Sequence, residues 1–190
     1  MYLYLMRHGQ TDWNVELRMQ GSSDIPLNAN GIAQAQEAAD RIKQVPFEYV
    51  ITSPLRRAVQ TAQIVAKGRQ IPLIVEPRLA ELDFGALEGV CRKDHPAAWT
   101  YFHDPEHYIP CEGGETYAQL DERCADVMAH VLAPLEDTYK NVLVCSHAAF
   151  ITGIVRRILN RPLRDFWIDL PQGNCSTVIV ECRGGMFYLI

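Results

Sequence analysis

Short apolar runs alternate along this chain with stretches of helical period, and that alternation limits its folds more than any other feature. Tyr2–Met6, Tyr49–Thr52, Pro72–Val75, Val142–Cys145, Thr177–Glu181 and Met186–Ile190 read as strands. Several are apolar almost throughout, as strands covered on both faces must be. Between them, Ile32, Ala35, Ala39 and Ile42 share one helical face. Leu55, Ala58, Val59, Ala62, Val65 and Ala66 form a second stripe, with Ser53 expected as the N-cap and Pro54 in the first helical position. Tyr117, Leu120, Cys124, Val127 and Val131 mark a third, opened by a capping box of Thr116 and Gln119. A fourth helix is predicted over Phe150–Leu159, stopping before Pro162. The alternation predicts an α/β protein, a three-layer α/β/α sandwich with a mostly parallel central sheet.

At 190 residues the chain has room for one domain, 1–190. Residues 90–113 break the rhythm with three His, three Pro and four aromatic residues, so a lid-like insertion over the site is expected there. Lys and Arg number 18 against 23 Asp and Glu, a net charge of −5, which attracts neither nucleic acid nor an anionic membrane. An anionic ligand therefore needs a local cluster of positive groups. No stretch approaches the roughly 18 apolar residues of a spanning helix, and the start, MYLYLMRHGQ, is not a signal peptide. The six cysteines form no C-x-x-C pair and read as reduced thiols of a cytoplasmic protein. A homodimer is left open.

Common phosphate chemistries fail on inspection. The P-loop, the dinucleotide-binding G-x-G-x-x-G and the G-x-S-x-G elbow are all absent. A cysteine phosphatase needs an Arg six residues after its Cys, and those positions hold Ala97, Tyr117, His130, Ile151, Glu181 and Tyr188. His95, His103, His107 and Cys111 have ligand-like spacing, but Pro96, Pro105 and Pro110 interrupt the helix that would align them. No metal site is assigned.

Two strand-end histidines remain. The first strand runs into Arg7-His8-Gly9 and the fourth into Cys145-Ser146-His147. Open α/β sheets bind ligands at the carboxyl ends of their strands, so the sheet itself brings these residues together. Arg56 and Arg57 fall in the first turn of the second helix, where the macrodipole already carries about +0.5 charge. Cations there are unfavourable unless an anion lies against the helix N-terminus. Arg57, beside Ala58, is the one expected to point toward the sheet top. A neutral imidazole among cations resists protonation and is free to act as a nucleophile. Expulsion of an alkoxide also needs a general acid. Glu81, Asp83 and Glu88 all lie in the segment after the third strand, and spacing does not choose among them.

These segments resemble the histidine phosphatase superfamily, the phosphoglycerate-mutase-like proteins with an RHG motif. The resemblance covers LMRHGQTDWN at 5–14, MQGSSDIPLNANGIAQA at 19–35, ITSPLRRAVQTA at 51–62, LAELDFGALEG at 79–89, VCSHAAFI at 144–151 and NCSTVIVE at 174–181. It implies that His8 becomes a phosphohistidine, that Arg7, Arg57 and His147 clamp the phosphoryl oxygens, and that Glu81 is the proton donor. It further implies substrate-side roles for Asn14, Gln20 and Gly21. Gln10 and Ala148 depart from the common Glu and Gly at their positions without removing a catalytic atom.

The expected function is a metal-independent phosphomonoesterase for a small phosphorylated metabolite, with no cofactor. Within the superfamily, small bacterial phosphatases such as alpha-ribazole phosphatase are the most similar. A cofactor-dependent phosphoglycerate mutase is the alternative, although residues 90–113 lack the arginine-rich insertion of mutases. A catalytically silent phospho-ligand-binding protein on this fold is a third reading with no residue in its favour.

Overall fold

Tyr2–Arg7 (β1), Tyr49–Thr52 (β2), Leu73–Val75 (β3), Asn141–Ser146 (β4), Thr177–Arg183 (β5) and Met186–Leu189 (β6) assemble into one sheet. The computed structural model, which describes residues 1–168 and 173–190, orders them β3-β2-β4-β1-β5-β6. The first four in that order pair in parallel, and β5 and β6 close the other side antiparallel. Around the sheet lie Asp12–Val15 (α1), Ala29–Arg41 (α2), Arg56–Val65 (α3), Pro96–His103 (α4), Tyr117–Val127 (α5) and Ala148–Ile158 (α6). The expected three-layer α/β/α sandwich with a mostly parallel sheet is the fold observed.

Side-chain alternation along the strands divides the interior into two cores. Met6, Val50, Leu143 and Cys145 face α2 and α3, meeting Ala35, Ala38, Ala62 and Val65. Leu3, Leu5, Ile51, Val142 and Val144 face the opposite layer and meet Leu120, Cys124, Phe150 and Ile154 of α5 and α6. No helix among the described residues is long and apolar enough to cross a membrane.

Three sequence expectations need correction. The second predicted helix does not start at Pro54: Leu55 is its N-cap and α3 begins at Arg56. Ser53 instead bends the chain, its Oγ accepting from the Leu55 N–H at 3.3 Å. In α2 the buried face is Gly31, Ala35 and Ala38, while Ile32 is exposed. The small face lets the helix approach the sheet closely, which a branched side chain would prevent. Finally, residues 90–113 are not aperiodic throughout. Pro96 opens α4, where the fixed φ of proline is compatible with a first turn, and the His95 side chain accepts from the Ala97 N–H at 3.2 Å. Tyr101 and Tyr108 of this segment are buried in the larger core.

Close backbone approach fixes two glycines next to β1. A Cβ on Gly9 would sit 2.4 Å from the Gly31 carbonyl oxygen, and one on Gly31 would sit 2.1 Å from that of Gln10. The chain leaving β1 therefore passes directly against the first turn of α2. That passage, with the β1–β4 register pairing Arg7 to Ser146, sets His8 beside His147.

Candidate active site

His8, His147 and Ser53 each follow the last residue of a strand, and those strands, β1, β4 and β2, are neighbours in the sheet. The His8 and His147 rings stand 5.1 Å apart between centroids, tilted by 57°. His8 Nδ1 donates to its neighbour's carbonyl, Gly9 O, at 2.7 Å. A carbonyl can only accept, so the proton resides on Nδ1 and the Nε2 lone pair is free. The backbone around the ring is pinned as well. His8 N donates to Ser146 O at 3.0 Å, Asn174 Nδ2 donates to His8 O at 3.0 Å, and Gly9 N donates to Thr61 Oγ1 at 3.0 Å.

Arg57 lies in the first turn of α3 and is wholly buried, whereas Arg56 is exposed and pairs with Asp24 at 3.2 Å. The Arg57 fork donates Nη1 to Ser23 O and Nη2 to Gly21 O, each at 2.7 Å. Those carbonyls belong to a loop folded around Glu88, whose carboxylate accepts from the N–H groups of Gly21, Ser22, Ser23 and Phe84 at 3.0–3.2 Å. Glu88 thus holds the loop that holds Arg57. The Nε of Arg57 and the Nδ1 of His147 are buried and have no hydrogen-bond partner among the described residues. Both are potential donors within one positively charged cluster.

The three acidic candidates separate cleanly. Asp83 accepts from the Gly85 N–H at 2.8 Å and shapes a turn. Glu88 organises the loop just described. Only Glu81 lines the cavity, and its carboxylate lies on the N-terminus of α6, accepting from Ala149 N at 3.2 Å and Phe150 N at 3.3 Å. Burial nevertheless raises its pKa from the ordinary carboxylate value, outweighing the N–H groups of Leu82 and Ala149 and the nearby Arg57 and Arg7. A carboxyl poised this way can carry a proton and release it.

A cavity of about 410 Å³ opens over this cluster, lined by Arg7, Asn14, Gln20 and Glu81 among others. Gln20 receives Thr11 Oγ1 at 2.6 Å, and Asn14 receives Asn174 Nδ2 at 3.3 Å. Gly21 does not line the cavity; its backbone joins Glu88 to Arg57. His8, Arg57 and His147 are almost entirely buried beside it. Burial pushes both imidazole pKa values well below 6.5, with Arg57 adding the next largest effect in each case. Arg57 itself falls to about 10, again by burial. His95, His103 and His107 lie apart in function, the first capping α4 and the others bonding to Trp99 O and Asp104.

Sequence reasoning missed Ser53, Thr61, Glu88 as a loop anchor, and Asn174. Each acts through partners distant in the chain, such as Ser53 Oγ and His147 Nε2, 2.6 Å apart across 94 positions. A hydroxyl in an apparent N-cap position carries no sequence signal for that contact.

The electrostatics make a checkable statement about protonation. In the unfolded chain the two histidines take up protons near 6.5, but the folded site excludes them, so their contribution to stability falls as pH drops below 6.5. Imidazole NMR from pH 8 to 5 should show His8 and His147 still neutral where a free imidazole protonates, while His107 beside Asp104 titrates above 6.5. In Arg57→Gln, both buried imidazoles should titrate higher. A wild-type His8 that protonates at or above 6.5 would contradict the charge balance described.

The model of the histidine phosphatase superfamily (branch 1) matches residues 3–190. The adenosylcobalamin/alpha-ribazole phosphatase of Escherichia coli (strain K12) is 33% identical over 193 residues, covering 95% of this chain and 91% of its own. A protein of Escherichia fergusonii named "Probable phosphoglycerate mutase GpmB" is 44% identical over 189 residues, covering 95% of this chain and 85% of its own. Among solved structures, YhfR of Bacillus stearothermophilus superposes with a TM-score of 0.89 at 31% identity, covering 99% of this chain and 94% of that one.

Proposed function

The chain belongs to the histidine phosphatase superfamily, and from that premise we propose that it hydrolyses a small phosphomonoester through a phosphohistidine on His8, without metal or cofactor. The observation that carries this reading is the His8 ring itself. It is neutral, with its Nδ1 proton engaged by Gly9 O and its Nε2 lone pair available beside Arg57.

In the first step the His8 Nε2 lone pair forms a bond to phosphorus as the ester P–O bond breaks. Protonated Glu81 donates to the departing alkoxide. Arg7, Arg57 and His147 hold the phosphoryl oxygens, whose charge they compensate in a low-dielectric setting where fixed donors act strongly. Ser53 supports the role of His147. Its Oγ accepts from the Leu55 N–H, which leaves its own proton for His147 Nε2. The histidine proton then resides on Nδ1, the buried atom without a partner, as a donor to phosphate. In the second step the Glu81 carboxylate takes a proton from water as the water oxygen bonds to phosphorus. The N–P bond breaks, returning His8 and releasing inorganic phosphate.

Asn14 and Gln20 stand on the substrate side of the cavity. Gly21 acts indirectly by holding Arg57. The six cysteines are unpaired, which fits the cytoplasmic location we assign. The partner is a small phosphorylated molecule.

Glu81→Gln keeps the side-chain shape and removes the transferable proton. Alkyl phosphates should lose at least about 10²-fold in kcat, a loss in the range of a positioned general acid, and p-nitrophenyl phosphate, with its stable leaving group, should lose much less. Equal losses on both esters would assign Glu81 to binding or structure instead.

Phosphatase and mutase differ in what receives the phosphoryl group. A mutase must keep a carboxylate-bearing substrate bound while it reorients, yet of the two cations in 90–113 only Arg92 lines the cavity, and its guanidinium lies over Phe102. Phosphorus NMR of 3-phosphoglycerate with the enzyme should therefore show inorganic phosphate as the phosphorylated product. A growing 2-phosphoglycerate signal with little free phosphate would transfer the assignment to the mutase.

A further inference from the structure

The cavity lined by Arg7 and Glu81 also carries an aromatic wall. Phe84, Tyr101, Phe102 and Trp167 all line it. Phe84 and Tyr101 are buried, whereas Phe102 and Trp167 keep part of their surface open. The wall is held rigid from behind. Trp167 Nε1 donates to Tyr101 O and Tyr117 Oη, each at 3.0 Å, and Tyr117 Oη donates to Tyr101 O at 2.7 Å. Tyr101 stacks on Tyr117 with 7° between planes, and Phe102 tilts against Trp167 at 5.4 Å. A wall with so little freedom loses little entropy when a flat group settles on it.

Leu17 lies on the same cavity and adds an independent sign. Its φ is +56°, a left-handed conformation that a side chain bearing a Cβ avoids, and no glycine replaces it. Its carbonyl accepts from the Arg92 N–H at 2.9 Å, tying this strained turn to the 90–113 segment. Strain kept at a cavity wall indicates that the side chain's placement matters. The charges at the mouth also lack the form of a carboxylate clamp. Arg18 pairs with Glu16, and the Arg92 guanidinium lies over the Phe102 ring at 5.6 Å from its centroid. A cavity of about 410 Å³ holds a phosphoryl group and one ring system.

We propose that the outer cavity is a subsite for a planar aromatic or heteroaromatic leaving group, so that the substrates are phosphomonoesters of aryl-bearing alcohols. This rests on the phosphomonoesterase reading above. Phe102 and Trp167 offer the open faces, Leu17 supplies an apolar contact, and Arg92 stacks at the rim.

The test compares esters whose leaving alcohols have nearly equal basicity, so that binding and not leaving-group chemistry decides the outcome. Purified full-length enzyme is assayed for phosphate release from 2-phenylethyl phosphate, 2-cyclohexylethyl phosphate, ethyl phosphate and 3-phosphoglycerate. We expect kcat/KM for the phenyl ester to exceed that for ethyl phosphate by about tenfold or more, mainly through KM, with the cyclohexyl ester well below the phenyl ester. Phe102→Ala should collapse that ratio toward one, and Phe102→Tyr, which keeps the ring, should retain it. Equal turnover of the phenyl, cyclohexyl and ethyl esters would overturn the aromatic subsite while leaving the phosphomonoesterase standing. Preference for 3-phosphoglycerate, lost in Arg92→Ala, would overturn it in favour of a carboxylate subsite. Absence of phosphate release from every ester would instead bring down the reading on which the proposal rests.

Discussion

Arg57 carries a full positive charge with no surface in contact with solvent. Moving a cation out of water costs several kcal/mol after the protein has relaxed, a cost that hydrogen bonds and opposite charges offset. Two loop carbonyls take its Nη1 and Nη2 and the nearby Glu81 and Glu88 act through their charge, while its Nε has no partner among the described residues. The charge then acts on everything around it. It adds to the burial that lowers the His8 and His147 pKa values, and it opposes the upward pull of burial on Glu81. A protein of net charge −5 concentrates positive groups at one end of its sheet, where we propose that the phosphoryl group binds.

The fold exists around that requirement at several removes. Adjacent strand ends deliver the two histidines and Ser53. The tight Gly9–Gly31 passage holds the His8 turn in place. Glu88 gathers four backbone N–H groups so that the carbonyls of the same loop face Arg57. Glu81 satisfies the N-terminus of α6 and also presents a carboxyl to the cavity. A single substitution in this network therefore disturbs neighbours that never touch phosphate. The protein is a phosphatase of the histidine phosphatase superfamily, and the mechanism we propose for it depends on the protonation states within this network.

Much of the arrangement was legible in the sequence because it follows local rules. Strand-end placement of His8 and His147 came from apolar runs. The selection of Arg57 over Arg56 came from helix phase and an unfavourable charge at a helix start, and in the structure Arg57 is buried while Arg56 pairs with Asp24 at the surface. The choice among Glu81, Asp83 and Glu88 lay beyond spacing, because all three sit in an irregular segment where no periodicity assigns a direction. Only the resemblance to a family pointed to Glu81. In the sequence Ser53 has the pattern of a helix cap, since a hydroxyl before Pro54 satisfies that local rule, but its partner His147 lies 94 residues away. The aromatic wall was hidden for the same reason. Tyr101, Tyr117 and Trp167 are brought together by hydrogen bonds that span 16 to 66 positions.

In the mechanism we propose, His8 receives the phosphoryl group because burial and the neighbouring Arg57 and Arg7 keep its Nε2 unprotonated. Rapid quench of the enzyme with phosphorus-32-labelled monoester, followed by alkaline digestion-compatible peptide mapping, tests it most directly. The account predicts an acid-labile, alkali-stable phosphoryl adduct on the peptide carrying His8, formed within one turnover and absent from His8→Ala. A turnover-competent His8→Ala enzyme, or a labelled residue other than His8, would contradict it.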